Sequence, residues 1–213
     1  MTQSRWSGTF LTIEGGEGVG KSTALKYIQN YLTHLNKDIL LTREPGGTKI
    51  AEEIRKILLM PNEKEKIIPA TELLLMFASR AQHIAEVILP ALKAGKWVIS
   101  DRFVDASYAY QGGGRQIDLS SIKILDEWIV GDIRPTVTLL LDAPPEIGLA
   151  RAKHRGPQDR IEQEKKDFFE RVRAVYLARA KEDPKRFHII DATQSIENIE
   201  HHLKKILDEL LGA

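Results

Sequence analysis

The sequence has 213 residues, 42% hydrophobic and 29% charged, which fits a globular domain large enough to bury a sizeable core. Its 31 Lys and Arg residues balance 30 Asp and Glu residues, a net charge of +1, so nothing indicates a general nucleic-acid binder or a membrane-surface protein. The absence of cysteine excludes disulfides, thiol chemistry and cysteine-ligated metals. Because no apolar run resembles a signal peptide or a membrane span, we predict a cytoplasmic protein without membrane or nucleic-acid partners.

Residues 15–22 match the phosphate-binding pattern G-x-x-x-x-G-K-S. An apolar strand over 9–14 precedes them and a helix over about 20–35 follows, as the pattern requires. The glycines let backbone N–H groups turn toward an anion, and the helix N-terminus adds partial positive charge. Lys21 is predicted to reach the β- and γ-phosphates of a nucleotide, and Ser22 to bind Mg²⁺. The predicted nucleotide-binding residues are Gly15, Gly16, Glu17, Gly18, Val19, Gly20, Lys21, Ser22 and Thr23.

A second strand, predicted over 39–42, runs into Thr-Arg-Glu-Pro-Gly-Gly-Thr at 42–48. Pro45 fixes its own φ, and the glycines after it adopt conformations closed to other residues. Arg43 therefore follows a strand at the edge where open α/β sheets bind ligands. A solvated arginine in a structural turn is the alternative.

A long helix is predicted over about 70–92, with Leu73, Phe77, Arg80 and Ile84 on one face. Phe77 and Arg80 are neighbours on that face. An aromatic ring beside a guanidinium can hold a flat base by stacking and hydrogen bonding. A core phenylalanine beside an ion-paired arginine is the other interpretation, and the pattern alone favours it.

The strand predicted over 97–101 ends in Asp101, the expected position of a carboxylate that holds Mg²⁺. Arg102 follows at the same end of the strand. Further on, Tyr110 and Gln111 are predicted to close a short helix that three glycines break. Gln111 offers a donor and an acceptor, which suits the edge of a base.

The rest of the chain alternates helices over 119–130, 162–182 and 195–211 with strands over 136–142 and 186–191. This alternation predicts a parallel sheet covered by helices on both faces, in one domain spanning 1–213. Residues 151–160 carry a cluster of Lys and Arg. A solvated loop is the ordinary interpretation of such a cluster, but beside a phosphate site a mobile cationic lid is expected.

Seven short stretches together resemble the thymidylate kinase family over nearly the whole chain. They lie at 13–15, 42–48, 77–80, 101–103, 108–112, 159–162 and 191–193. The phosphate loop is common to many NTPases, whereas Arg-Glu-Pro-Gly-Gly-Thr at 43–48 with Tyr-Gln-Gly at 110–112 is much more specific.

The resemblance implies a P-loop NTPase-type, three-layer α/β fold like that of nucleoside monophosphate kinases, with a five-stranded parallel sheet. It implies a homodimer that phosphorylates dTMP to dTDP with ATP and Mg²⁺ under a mobile lid. Residues 15–23 would bind ATP, while Ser22 and Asp101 would bind the metal.

The same resemblance implies roles for the dTMP-binding residues. Arg43 and Arg102 would grip the dTMP phosphate, and Phe77 would stack on thymine. Arg80 and Gln111 would read the edge of the base. Glu17 would bond the 3′-hydroxyl and Tyr110 would exclude a 2′-hydroxyl. Phe103 stands where family members often carry Tyr or His, and we expect little consequence.

Lys21, Arg102 and a lid arginine are the predicted catalytic residues. The resemblance implies a basic residue either in the phosphate loop or in the lid. Because Gly18 has no side chain, the lid is expected to supply the cation, with Arg155 the first candidate and Arg151 the second.

Two alternatives remain open at this stage. One is another nucleotide or nucleoside kinase, such as a deoxynucleoside or guanylate kinase. The other is a nucleotide-hydrolysing switch protein, against which the missing D-x-x-G and N-K-x-D motifs argue.

Overall fold

The structure, a computed structural model, describes residues 6–61, 65–153 and 159–212. Its centre is a parallel sheet of five strands in the order β2-β3-β1-β4-β5. The strands are β1 (Thr9–Gly15), β2 (Ile39–Arg43), β3 (Trp97–Asp101), β4 (Val137–Asp142) and β5 (Phe187–Asp191). The prediction of a five-stranded parallel sheet is confirmed.

Helices connect successive strands. They are α1 (Lys21–His34), α2 (Lys49–Leu59), α3 (Pro69–His83), α4 (Leu89–Lys93), α5 (Val104–Ser107), α6 (Leu119–Ile129), α7 (Pro145–Lys153), α8 (Lys166–Glu182) and α9 (Ile196–Leu211). No helix within the described ranges is long and apolar enough to cross a membrane.

The side chains of β1 alternate between the two faces of the sheet, as strand geometry dictates. Leu11 and Ile13 belong to a core that includes residues of α1 and α9. Phe10 belongs to a second core that includes residues of α3 and α6. The sheet is therefore covered on both faces, which is the usual condition of a parallel sheet.

The strand register brings the functional segments together. Arg43 in β2 and Ile13 in β1 are both paired with Asp101 of β3. Since the strands are parallel, the phosphate loop after β1, the turn after β2 and Arg102 after β3 leave the sheet at one edge. Ligands bind at this edge in open α/β sheets.

The helix predicted over 70–92 is continuous, but its middle is a π-helical turn, Ile84–Ile88, between α3 and α4. Pro90 lies just beyond this turn. Proline lacks an N–H and its ring clashes with the carbonyl four residues earlier, so a widened turn before it relieves the conflict.

The three consecutive glycines do not break the helix as predicted, because Tyr108–Gly114 continues α5 as a π-helix. Their small size serves close packing instead. A Cβ on Gly113 would lie 2.8 Å from the Arg171 carbonyl oxygen of α8, and a Cβ on Gly114 would collide with the Phe168 ring. Arg171 also donates to the carbonyls of both glycines, at 3.1 and 3.0 Å.

Candidate functional site

A cavity of about 410 Å³ opens at the carboxyl ends of β1, β2 and β3, a size typical of small-molecule sites. Its lining comes from the phosphate loop, the turn after β2, helices α2 and α3, the start of the segment after β3, the π-helix 108–114 and α7. Residues 159–162, at the end of the predicted lid and just after it, complete the lining.

The phosphate loop has the predicted form. Gly18 and Gly20 adopt left-handed φ angles of 68° and 93°, and α1 begins directly afterwards at Lys21. The Lys21 ammonium donates to the carbonyl oxygens of Gly16 at 2.7 Å and Gly15 at 3.3 Å. Burial, and then the neighbouring Arg102, lower the pKa of Lys21. The ammonium is thus held at the mouth of the loop.

Arg102 has a left-handed φ of 68°, a conformation that strains a residue with a side chain by about 1–3 kcal/mol. Its backbone N–H bonds the Ile13 carbonyl at 2.9 Å. Its guanidinium donates to Gly15 O at 2.7 Å and Glu17 Oε1 at 2.6 Å, and it lies 4.7 Å from the centre of the Tyr110 ring. These contacts hold the strained backbone and aim the side chain along the cavity wall.

Glu17 and Tyr110 also line the cavity, as predicted. The Tyr110 hydroxyl donates to Glu17 Oε1 at 2.7 Å, the same oxygen that Arg102 contacts. The three side chains, drawn from the phosphate loop, the end of β3 and the π-helix, form one hydrogen-bonded unit.

The predicted metal ligands Ser22 and Asp101 both line the cavity. Asp101 Oδ1 is buried and has no hydrogen-bond partner among the described residues. A buried carboxylate oxygen without a hydrogen-bond partner, in a cavity that a serine hydroxyl also lines, fits a hard cation such as Mg²⁺. The described ranges contain no cluster of three His, Asp or Glu side chains that could hold a metal by themselves, so phosphate oxygens or water would complete the coordination.

Arg43 lines the cavity as predicted, and its guanidinium bonds both carboxylate oxygens of Glu52 at 3.0 and 2.8 Å. Arg55 of α2 also lines the cavity and donates to the Pro45 carbonyl at 2.9 Å. The sequence pattern does not point to Arg55, because only the fold brings α2 back over the turn after β2.

The structure does not bring Phe77 or Arg80 to the cavity. Phe77 is 2% exposed, within the core beside α3. The Arg80 guanidinium lies 4.7 Å from its ring and bonds Glu44 at 2.7 Å, Ser107 at 3.0 Å and the Phe103 carbonyl at 3.1 Å. This is the core interpretation that the spacing alone favoured.

Glu72 and Met76 take the place on α3 that was predicted for Phe77 and Arg80. Both line the cavity. They are four residues apart and therefore share a helix face. Because each residue turns a helix by about 100°, Met76 faces the cavity while the next residue, Phe77, faces the core.

Gln111 lines the cavity as predicted and is 2% exposed. Its Nε2 donates to Glu72 Oε1 at 2.8 Å, while its own Oε1 has no hydrogen-bond partner among the described residues. Glu72 is also contacted by Arg115 and by Arg160, which lines the cavity.

Of the two lid candidates, Arg155 lies outside the described residues. Arg151, on α7, lines the cavity and donates to the Ala192 carbonyl at 2.9 Å. The start of α7 packs on the phosphate loop, where a Cβ on Gly18 would collide with the carbonyl of Gly148. The loop position next to Glu17 therefore has no room for a side chain.

Glu14 lies beneath the loop, fully buried. It accepts hydrogen bonds from the Tyr176 hydroxyl and the Phe103 N–H, both at 2.7 Å. Burial, and then the nearby Asp105 carboxylate, raise the pKa of Glu14 to about 8.

We expect the free energy of unfolding to fall as the pH rises from about 5 to about 8, because the folded state binds one more proton than the unfolded state in that window. Urea denaturation across this range measures the slope. Glu14→Gln should reduce it, whereas the exposed Glu86→Gln should not. A slope that persists unchanged in folded Glu14→Gln would assign the effect to another group.

Comparison with known proteins decides the family. The family model described as "Thymidylate kinase" matches residues 13–203. The chain belongs to the thymidylate kinase family. All of the strands except the first residues of β1 fall within the matched range.

Curated thymidylate kinases match over nearly their whole length. The protein from Pseudomonas savastanoi pv. phaseolicola is 52% identical over 205 residues, 96% of this chain and 97% of that protein. The one from Alcanivorax borkumensis is 48% identical over 204 residues, 96% of this chain and 98% of that protein. The crystal structure of thymidylate kinase from Ehrlichia chaffeensis superposes with a TM-score of 0.76 at 32% identity, covering 94% of this chain and 98% of that one.

Proposed function

We propose that this protein phosphorylates dTMP to dTDP, with ATP as the phosphoryl donor and Mg²⁺ as the metal. The observation that carries the proposal is a single cavity with a phosphate loop at one end and, elsewhere in its lining, the Arg43 and Arg102 guanidiniums and the Gln111 amide. A donor and an acceptor nucleotide each have recognition groups there. Thymidylate kinase is also the printed name of the curated relatives.

Residues 15–23 bind the ATP phosphates through backbone N–H groups and the N-terminus of α1. Lys21 places its ammonium beside the phosphoryl group that is transferred, where negative charge must be stabilised. Ser22 and Asp101 would hold Mg²⁺, which would neutralise charge on the phosphate oxygens. A lid arginine supplies the remaining positive charge.

Arg102 and Arg43 orient the phosphate of dTMP, since a guanidinium can bind two phosphate oxygens at once. The acceptor is already an anionic oxygen at neutral pH, so no general base is required and catalysis rests on positioning and charge neutralisation. Glu17 accepts from the 3′-hydroxyl, and Tyr110, which is bonded to Glu17, fills the space beside it where a ribose 2′-hydroxyl would lie.

The thymine base lies against Met76 and presents its edge to Gln111. Both side chains line the cavity, whereas Phe77 and Arg80 are in the core. A methionine side chain is polarisable and makes favourable contacts with aromatic rings, so it can take the stacking position first predicted for Phe77.

A coupled assay that detects ADP tests the proposal with dTMP, dUMP, dCMP, dGMP, dAMP and UMP as acceptors. We expect turnover with dTMP to exceed that with dCMP, dGMP, dAMP and UMP. Preference for a purine acceptor would point to another nucleotide kinase. ATP hydrolysis at the full rate without any acceptor would point to a switch protein.

We further propose that the protein is a homodimer in the cytoplasm. The adjacent helices α3 and α6 carry exposed apolar side chains: Leu74 is 58% exposed, Ile124 65% and Trp128 78%. Ile124 and Trp128 are four residues apart and share a face of α6. Apolar side chains this exposed on neighbouring helices are typical of a surface that a partner covers.

We expect Trp128→Arg to convert the dimer to a monomer, because the substitution places a charge in an apolar interface. Sedimentation equilibrium measures the mass. Ile196→Arg on α9 is the matched control, since Ile196 is 57% exposed but lies at the other face of the sheet. A wild type that sediments as a monomer would contradict the proposal.

A further inference from the structure

The Gln111 amide has one orientation that its surroundings permit. A glutamine amide has a donor end and an acceptor end, and which end points where must be deduced from the hydrogen bonds around it. One end of this amide meets Glu72, 2.8 Å away. The other end has no partner among the described residues, although it is buried.

Glu72 is ionised, although it is only 1% exposed. Burial opposes the charge, but hydrogen bonds from Arg115, Gln111 and Arg160, together with the charge of Arg115, outweigh it and lower the pKa of Glu72. Arg115 Nε lies 3.2 and 3.1 Å from the two carboxylate oxygens, and Arg160 Nη2 lies 2.6 Å from Oε2. An ionised carboxylate only accepts hydrogen bonds. The donor end of Gln111 must therefore face Glu72, and the acceptor end is left for a ligand.

Both arginines are themselves fixed. Arg115 Nη1 bonds Glu164 at 2.5 Å, and its guanidinium lies 4.9 Å from the centre of the Phe168 ring. Arg160 Nε donates to the Leu58 carbonyl at 2.8 Å. Each of the two guanidiniums beside Glu72 is thus also held by a contact to another part of the fold.

We propose that Glu72 is a positioning residue for base selection: it locks the Gln111 amide with its oxygen available to the base, so that the site favours thymine and rejects cytosine. The inference rests on the proposed function. Thymine carries a donor at N3, which pairs with the Gln111 oxygen. Cytosine carries an acceptor at N3, which would meet that oxygen as a second acceptor. A glutamine whose side-chain amide could flip, exchanging its donor and acceptor ends, would match either base.

Replacing Glu72 by glutamine tests whether Glu72 fixes the orientation of the Gln111 amide. Arg160 donates to Oε2 at 2.6 Å, and Arg115 lies closer to Oε2 (3.1 Å) than to Oε1 (3.2 Å), so the new amide oxygen is expected at the Oε2 position. Its NH₂ group then faces Gln111. The Gln111 side-chain amide then flips and presents its donor end to the base. We expect the ratio of kcat/KM for dTMP to that for dCMP to fall by roughly 5- to 150-fold, the range for one mismatched base edge. The change should lie in KM, with kcat near wild type, because base binding is remote from the transferred phosphoryl group.

Three comparisons separate this role from a purely structural one. Glu86→Gln, an exposed substitution in the π-helical turn after α3, should leave the ratio unchanged. The dTMP-to-dUMP ratio should also stay constant in Glu72→Gln, because both bases carry N3–H. In a Gln111→Ala background, Glu72→Gln should have no further effect on base choice, as expected for residues that act through one another.

The outcomes are distinct. A wild type that phosphorylates none of these nucleotides contradicts the proposed function. A wild type specific for dTMP whose ratio survives in folded Glu72→Gln overturns only the role of Glu72. If that variant does not fold, the proposal is tested on the wild type by measuring its turnover of N3-methyl-dTMP, which lacks the N3–H donor. If this analogue or dCMP is turned over within a few-fold of the rate for dTMP, the Gln111 oxygen is not held facing N3 of the base, and the proposal is wrong.

Discussion

Replacing Lys21 by alanine is expected to lower kcat for phosphoryl transfer by at least roughly 10²- to 10³-fold, the effect of removing one preorganised charge-stabilising group. The Lys21 ammonium is already held at the mouth of the phosphate loop by the carbonyls of Gly15 and Gly16. Nothing else on α1 can take its place, because the side chain must come from the first residue of the helix. Single-turnover transfer from ATP to dTMP measures the effect.

Lys26→Ala is the matched control, since Lys26 is an exposed lysine on the same helix. It should keep the wild-type rate and melting temperature. A folded Lys21→Ala protein with an unchanged kcat would remove Lys21 from the reaction.

The second large effect is expected in the lid. Removing the arginine that neutralises the transferred phosphoryl group should lower the single-turnover rate by roughly 10³- to 10⁵-fold, as for arginines that play this part in other phosphoryl-transfer enzymes. Arg155→Ala is the first variant to measure and Arg151→Ala the second. The affinity for dTMP should stay near the wild-type value, because this charge acts on the donor.

Lys153→Ala provides the comparison within the same segment. Lys153 is exposed and does not line the cavity, and an exposed charge of that kind contributes little. If Arg151→Ala, Arg155→Ala and the double variant all keep their rates within a few-fold, the catalytic cation does not come from the lid. A loss confined to Arg151→Ala would favour the arginine that lines the cavity.

The sequence was sufficient for the parts of the site that are local along the chain. The predicted ligand groups of the phosphate loop all lie within residues 15–23, Arg43 is the last residue of β2, and Arg102 directly follows β3. In a parallel sheet such positions converge at one edge whatever the details of packing. The cavity lining confirms that this convergence occurs.

Spacing along α3 could not settle which residues face the ligand. A helix with a core face and a cavity face separates neighbours by about 100°, so Phe77 and Met76 exchange roles when the helix is rotated by one residue. The buried partners of Arg80, namely Glu44, Ser107 and the Phe103 carbonyl, come from other parts of the chain. Only the assembled fold shows that these groups accept the hydrogen bonds of the Arg80 guanidinium.

The glycines at 112–114 are a second case in which the local sequence does not reveal a contact with a distant segment. Read locally, three glycines are a helix breaker. In the structure they permit α8 to approach the π-helix closely, with Phe168 against Gly114 and the Arg171 carbonyl beside Gly113. The requirement is set by a segment more than 50 positions away along the chain.

The contact between Gly18 and Gly148 restricts how this enzyme could evolve. A side chain at Gly18 would strike the backbone carbonyl of Gly148, and a Cβ on Gly148 would strike the Glu17 carbonyl. A carbonyl within a helix cannot rotate out of the way. A basic side chain in the loop therefore needs more than one substitution, because Gly18→Arg would also require α7 to move away from the loop. If the lid supplies the catalytic cation, as proposed, the loop cannot take over that role while α7 keeps its present position.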